Sequence, residues 1–109
     1  MDGVRAFRGW LSTPVPDWVA GIPPDPLRTR VRFLAALPPS ARRAFVADAR
    51  RLSAVQLRKL EADGEAQRTL GPFHDLMSRG ALLTMQARLT FLEEAAEALS
   101  ELKSPRRRP

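Results

Sequence analysis

The stretch from Ala81 to Leu102 constrains this chain more than any other. Projected at about 100° per residue, it divides into two sides. Gln86, Thr90, Glu93, Glu94, Glu97, Ser100 and Glu101 fall on one side. Leu82, Met85, Leu89, Phe91, Leu92, Ala95, Ala96, Ala98, Leu99 and Leu102 fall on the other, and Leu83, Thr84 and Arg88 interrupt the partition. The apolar arc spans about 200°, twice what a helix needs to lie on one neighbour. Such a helix has to be covered from two directions. Within the arc, Leu82, Met85, Leu89, Leu92, Ala96 and Leu99 form a seam whose spacing alternates between three and four residues, as in a coiled coil. The segment therefore reads as the spine of a small helical bundle or of a helix-paired dimer.

Composition narrows the class. The chain has 109 residues, enough for one domain, and 44% are hydrophobic, enough for a modest core. It has no cysteine, so disulfide frameworks and thiolate metal sites are excluded. No stretch approaches the roughly 20 apolar residues of a membrane span. The N-terminal residues lack the basic start and apolar run of a signal peptide. A soluble, cytoplasmic protein is expected.

The formal net charge of +6 conceals a split. Residues 1–59 carry +7, residues 60–102 carry −5, and residues 103–109 carry +4. A uniformly basic chain points to nucleic acid. A chain with one basic and one acidic half can also satisfy itself or pair head to tail with a copy.

Residues 1–25 read as an arm. Val4, Phe7 and Leu11 recur at helical spacing with Trp10 beside them, which predicts a short amphipathic helix over Gly3 to Leu11. Pro14 to Pro26 contains five prolines and predicts extended backbone. Trp18, Val19 and Ile22 lie among those prolines, so the arm has to rest on something apolar. Either it straps its own bundle or it docks on a partner protein through Phe7, Trp10, Leu11, Trp18 and Ile22.

Residues 26–102 read as the bundle. Asp25 and Pro26 are an N-cap and a first-turn proline, and they start a helix that ends near Leu37. Pro38 and Pro39 begin the next. Over residues 39–63, Phe45, Val46, Ala49, Leu52, Leu57 and Leu60 share an arc of about 140°. Arg43, Arg50, Arg51 and Arg58 share a neighbouring arc of about 100° if the helix is unbroken. Ser53 and Gln56 also have the spacing of a capping box, which would divide the segment into two helices. Gly64 predicts an end or kink, Pro72 a new helix to about Arg79, and Gly80 a separation from the spine. Phe45, Leu52, Leu57, Phe73 and Met77 are the residues able to cover the spine from within the chain; a homodimer through residues 81–102 is the other solution. Residues 103–109 hold no apolar side chain and read as a flexible basic tail.

Catalytic patterns are missing. His74 is the only histidine, and none of the six serines lies in a G-x-S-x-G setting. No glycine-rich loop suits a phosphate. Glu93, Glu94, Glu97 and Glu101 occupy the solvent side of the spine and read as a solvated face or as a match for a basic surface. No enzyme, metal or cofactor is expected.

One partial resemblance stands between residues 37 and 60. Leu37, Pro38, Pro39, Arg42 and Phe45, followed by Leu52, Ser53, Leu57 and Leu60, resemble the first half of a sigma-factor region 4 helix-turn-helix. It covers about a fifth of the chain, is one residue short between the leucine motifs and lacks the glycine before the leucine-serine pair. It implies a recognition helix near Glu65 to Phe73, where Arg68 is the sole arginine. The resemblance stops short of membership.

The fold expected is all-α: four or five helices, a long C-terminal amphipathic helix and an extended proline-rich N-terminal arm. The function expected first is a non-catalytic protein-interaction module, such as an adaptor, regulator or accessory subunit. The alternative is nucleic-acid binding, helix-turn-helix-like over residues 37–73. Its phosphate contacts would be Arg43, Arg50, Arg51, Arg58, Lys59, Arg106, Arg107 and Arg108.

Overall fold

A computed structural model describes residues 2–102, with the side chain of Trp18 excepted. The described chain is all-α. Its helices are α1 (Asp2–Ser12), α2 (Asp17–Ala20), α3 (Pro26–Arg32), α4 (Pro39–Thr69) and α5 (Pro72–Glu101), with a 3-10 turn at Leu34–Ala36. The chain separates into two compact units, one ending at Phe33 and the other beginning at Leu34.

In the N-terminal unit, α1 extends the predicted helix by one residue at each end. Ser12 and Thr13 close it by donating their hydroxyls to the carbonyl of Gly9, at 3.2 and 2.7 Å. The proline-rich stretch is extended at Pro14–Pro16 and again after Gly21, but Asp17–Ala20 forms one helical turn that the proline count did not suggest. The carboxylate of Asp25 accepts the backbone N–H of Leu27 at 3.0 Å, and Pro26 fills the first helical position, as the sequence predicts.

The C-terminal unit is a helical hairpin. α4 and α5 pack on each other along their lengths. At 1.5 Å per residue they are each about 45 Å long. Leu70 and Gly71 join them, and Gly71 has φ 119°, a left-handed conformation that favours glycine. Pro72 then opens α5 with φ already helical. Arg42 fixes the entry to α4: its guanidinium donates to the carbonyls of Leu37 at 2.7 Å and Ala35 at 3.3 Å.

Several predicted breaks do not occur. α4 runs through Ser53 and Gly64 to Thr69, and α5 runs through Gly80 without interruption. Residues 39–63 thus belong to one helix. The helix-turn-helix of the alternative reading, over residues 37–73, is not formed, because its turn is occupied by helix. The physical reason is packing. A glycine inside a helix costs about 1 kcal/mol, and the face that α4 and α5 bury along their length outweighs it. Ser53 does not cap a helix; it is buried at the face between the helices.

The predicted seam of α5 is the side that packs. Leu92 is fully buried, and Leu82, Met85, Leu89, Ala96 and Leu99 are half-buried. On α4 the matching face is Val46, Ser53, Leu57, Leu60 and Gly64. Leu52, expected in this row, is 50% exposed. The row follows Val46 to Ser53 to Leu60, one heptad apart, which rotates Leu52 to the edge.

Candidate interaction surfaces

The α5 helix has two apolar sides, and α4 covers one. Phe73, Leu76, Met77, Gly80, Leu83, Thr84 and Ala87 lie within an arc of about 120° on the other side, and all are exposed. Phe73 is 80% exposed, and Leu76 and Met77 are each 65% exposed. Leu102 continues the stripe and is also exposed. Phe73 and Met77 therefore do not cover the spine from within the chain, as the sequence had left open. Phe45 and Leu57 are half-buried. Gly80 lies in the middle of the stripe with open space above it. The signal for this second face in the sequence was Leu83, an apolar residue on the polar side of the wheel.

Charge borders the stripe. Glu94 and Glu101 share the azimuths of Leu76 and Leu83, so the stripe is apolar over residues 73–87 and acidic further along, and Glu93 and Glu97 continue the acidic strip around α5; all four are exposed. One of them meets the basic helix: Arg50 stands 3.9 Å from Glu93, with both side chains largely in solvent. A pair of this kind contributes at most about 1 kcal/mol.

The basic residues of α4 share one unbroken helix. Arg43, Arg50, Arg51, Arg58 and Lys59 are all exposed. Arg51 is paired locally with Asp48, and further along α4 Arg68 pairs with Glu65. Arg106, Arg107 and Arg108, the tail arginines of the nucleic-acid reading, lie outside the described residues.

The arm residues are uncovered within their unit. Phe7 is 58% exposed, Trp10 70%, Leu11 61% and Ile22 81%. The rings of Phe7 and Trp10 stack, with centroids 6.0 Å apart. Trp10, Leu11, Pro14, Val15, Pro16 and Val19 line an open apolar cavity of about 620 Å³ together with Thr13. The fifth arm residue, Trp18, has its side chain outside the described residues.

His74 is exposed on the first turn of α5. Among the described residues no cluster of three acidic, histidine or cysteine side chains could hold a metal ion. No helix among them is long and apolar enough to cross a membrane.

Comparison with known proteins adds one finding. No match is found among curated proteins or among solved structures. A family model described as Virulence activator alpha C-term matches residues 25–100. That span opens at the cap of α3 and closes in the last turn of α5, taking in the whole hairpin. It covers well over half of the chain, and the chain belongs to the Virulence activator alpha C-term family.

Proposed function

We propose that this chain is a non-catalytic interaction module of a regulator, and that it pairs with protein through the outward face of α5. The observation that carries the reading is the exposure of Phe73, Leu76, Met77 and Leu83 along a helix whose other apolar side is already packed. A contiguous apolar stripe on a helix marks a contact surface. Gly80 and Thr84 in its centre let a second helix approach closely, and the flanking glutamates would form a polar rim. The family name supports a regulatory role. The partner that fits most simply is a second copy, since a two-fold pairing lays one such stripe on another. The arm offers a second contact element.

Sedimentation equilibrium over a range of concentrations tests the reading. The wild-type chain is expected to show a mass above that of one chain, and Met77→Ser with Leu83→Ser to return it to one chain with helicity unchanged. A monomer at every concentration would remove the second copy as partner.

Nucleic-acid binding is the second reading, favoured by the exposed Arg43, Arg50, Arg51 and Arg58, which share an arc of about 100° on the unbroken α4, with Lys59 further round. It predicts a salt-dependent affinity for generic duplex DNA that Arg51→Glu with Arg58→Glu weakens. Anisotropy of labelled DNA at several salt concentrations measures this. Unchanged binding in the variant would remove the α4 face from consideration.

A further inference from the structure

The α1 helix carries an apolar surface that its own unit leaves uncovered. On its wheel, Val4, Phe7, Trp10 and Leu11 fall within an arc of about 120°. Arg8 lies at the border of that arc and Arg5 further round, while Asp2 lies on the far side. Every residue of α1 is exposed.

The apolar surface does not stop where the helix does. Past the proline break, Val15 is 61% exposed, Val19 46% and Ile22 81%. The open cavity of about 620 Å³ joins the end of α1 to Val15 and Val19. A protein groove that takes a helix reads anchors from one helical stripe. The apolar surface thus runs from α1 through the extended residues 14–16 to the helical turn of α2. On α1 itself the basic side chains are Arg5 and Arg8, both exposed, and the single acidic one is Asp2. Aromatic and leucine side chains on one face, with arginine beside them, are the features of a helix that lies in the headgroup region of a bilayer.

We propose that α1 is a membrane-surface helix that binds anionic lipid. Phe7 and Leu11 enter the acyl boundary, Trp10 sits at the headgroup level with its indole N–H toward water, and Arg5 and Arg8 reach lipid phosphates. This is independent of the α5 pairing, and either can fail without the other.

The test uses the full chain with Trp18→Phe, which leaves Trp10 as the only tryptophan. Its emission is followed during titration with vesicles of neutral phosphatidylcholine, and with vesicles in which part of that lipid is replaced by phosphatidylglycerol. The emission is expected to move to the blue on the anionic vesicles, with binding at least about tenfold weaker on neutral ones. Arg5→Gln and Arg8→Gln should each weaken anionic binding about fivefold. Phe7→Ala should weaken binding to both kinds of vesicle. Emission that does not respond to lipid overturns the proposal and leaves the arm to a protein groove or to its own hairpin. Equal binding to both vesicle types, or binding indifferent to Phe7→Ala, also overturns it.

Discussion

The hairpin and the arm are built from similar residues and use them differently. In the hairpin, Leu92 and Val46 are almost completely withdrawn from water, and Leu34 is buried at its start. In the arm unit, Phe7, Trp10, Leu11, Val15 and Ile22 remain mostly in solvent, and α1 holds no buried residue. What separates them is the length of helix that can be paired. Two helices of 31 and 30 residues joined by a two-residue turn bury a face over their whole length. The 11-residue α1, followed by prolines, has no helix of comparable length to pair with inside its own unit. The same contrast recurs within α5, between the seam that packs on α4 and the stripe that faces outward. Apolar residues that the chain covers itself are the fold's. Those it leaves uncovered are available for contacts with something else.

The contrast can be broken most easily at Leu92. Leu92→Ala should cost about 2–5 kcal/mol, because the residue is fully buried and its removal leaves a cavity. Thermal unfolding followed by circular dichroism measures it, and a loss below about 1 kcal/mol would mean that the hairpin is loosely packed. Ser53→Leu should cost about 1–3 kcal/mol by overpacking the face between the helices. A tolerated leucine would show room there that the buried serine does not suggest. Gly71→Ala follows, at about 1–2 kcal/mol, because φ 119° strains any residue with a Cβ; the midpoint of urea unfolding reports it. At the small end, Trp10→Ala should change stability by less than about 0.5 kcal/mol. A drop comparable to that of Leu92→Ala would place the tryptophan in a core and erase the distinction between the two regions.

Much of this was legible in the sequence. The step pattern of Leu82, Met85, Leu89, Leu92, Ala96 and Leu99 named the packed side of α5 correctly, because burial follows periodicity when a long helix has a long partner. The cap at Asp25 and Pro26 was equally clear, since it depends on two adjacent residues alone. The breaks were misread for the converse reason. Gly64 and Gly80 carry local signals against helix worth about 1 kcal/mol each, and the capping-box spacing of Ser53 and Gln56 left residues 39–63 open between one helix and two. A hairpin-long packed face exceeds them, and that face cannot be read from any one of these positions. The width of the apolar arc called for two neighbours, while the face left open holds Leu83 and Thr84, the positions that interrupt the partition of the wheel. Only the structure shows that the chain provides one, since Phe73 and Met77 sit in the loop-proximal turns of α5 and face away from α4.

The absence of cysteine from the natural chain permits a direct test of that unmet face. Thr84→Cys places a thiol in the middle of the outward stripe, and Gln86→Cys places one on the polar side of the same helix; both positions are exposed in the single chain. The measurement is the rate of thiol alkylation for each variant as the protein is concentrated. Cys at position 84 is expected to become protected as concentration rises while Cys at position 86 stays reactive. Equal reactivity at both positions, at every concentration, would contradict the pairing of one α5 face with another.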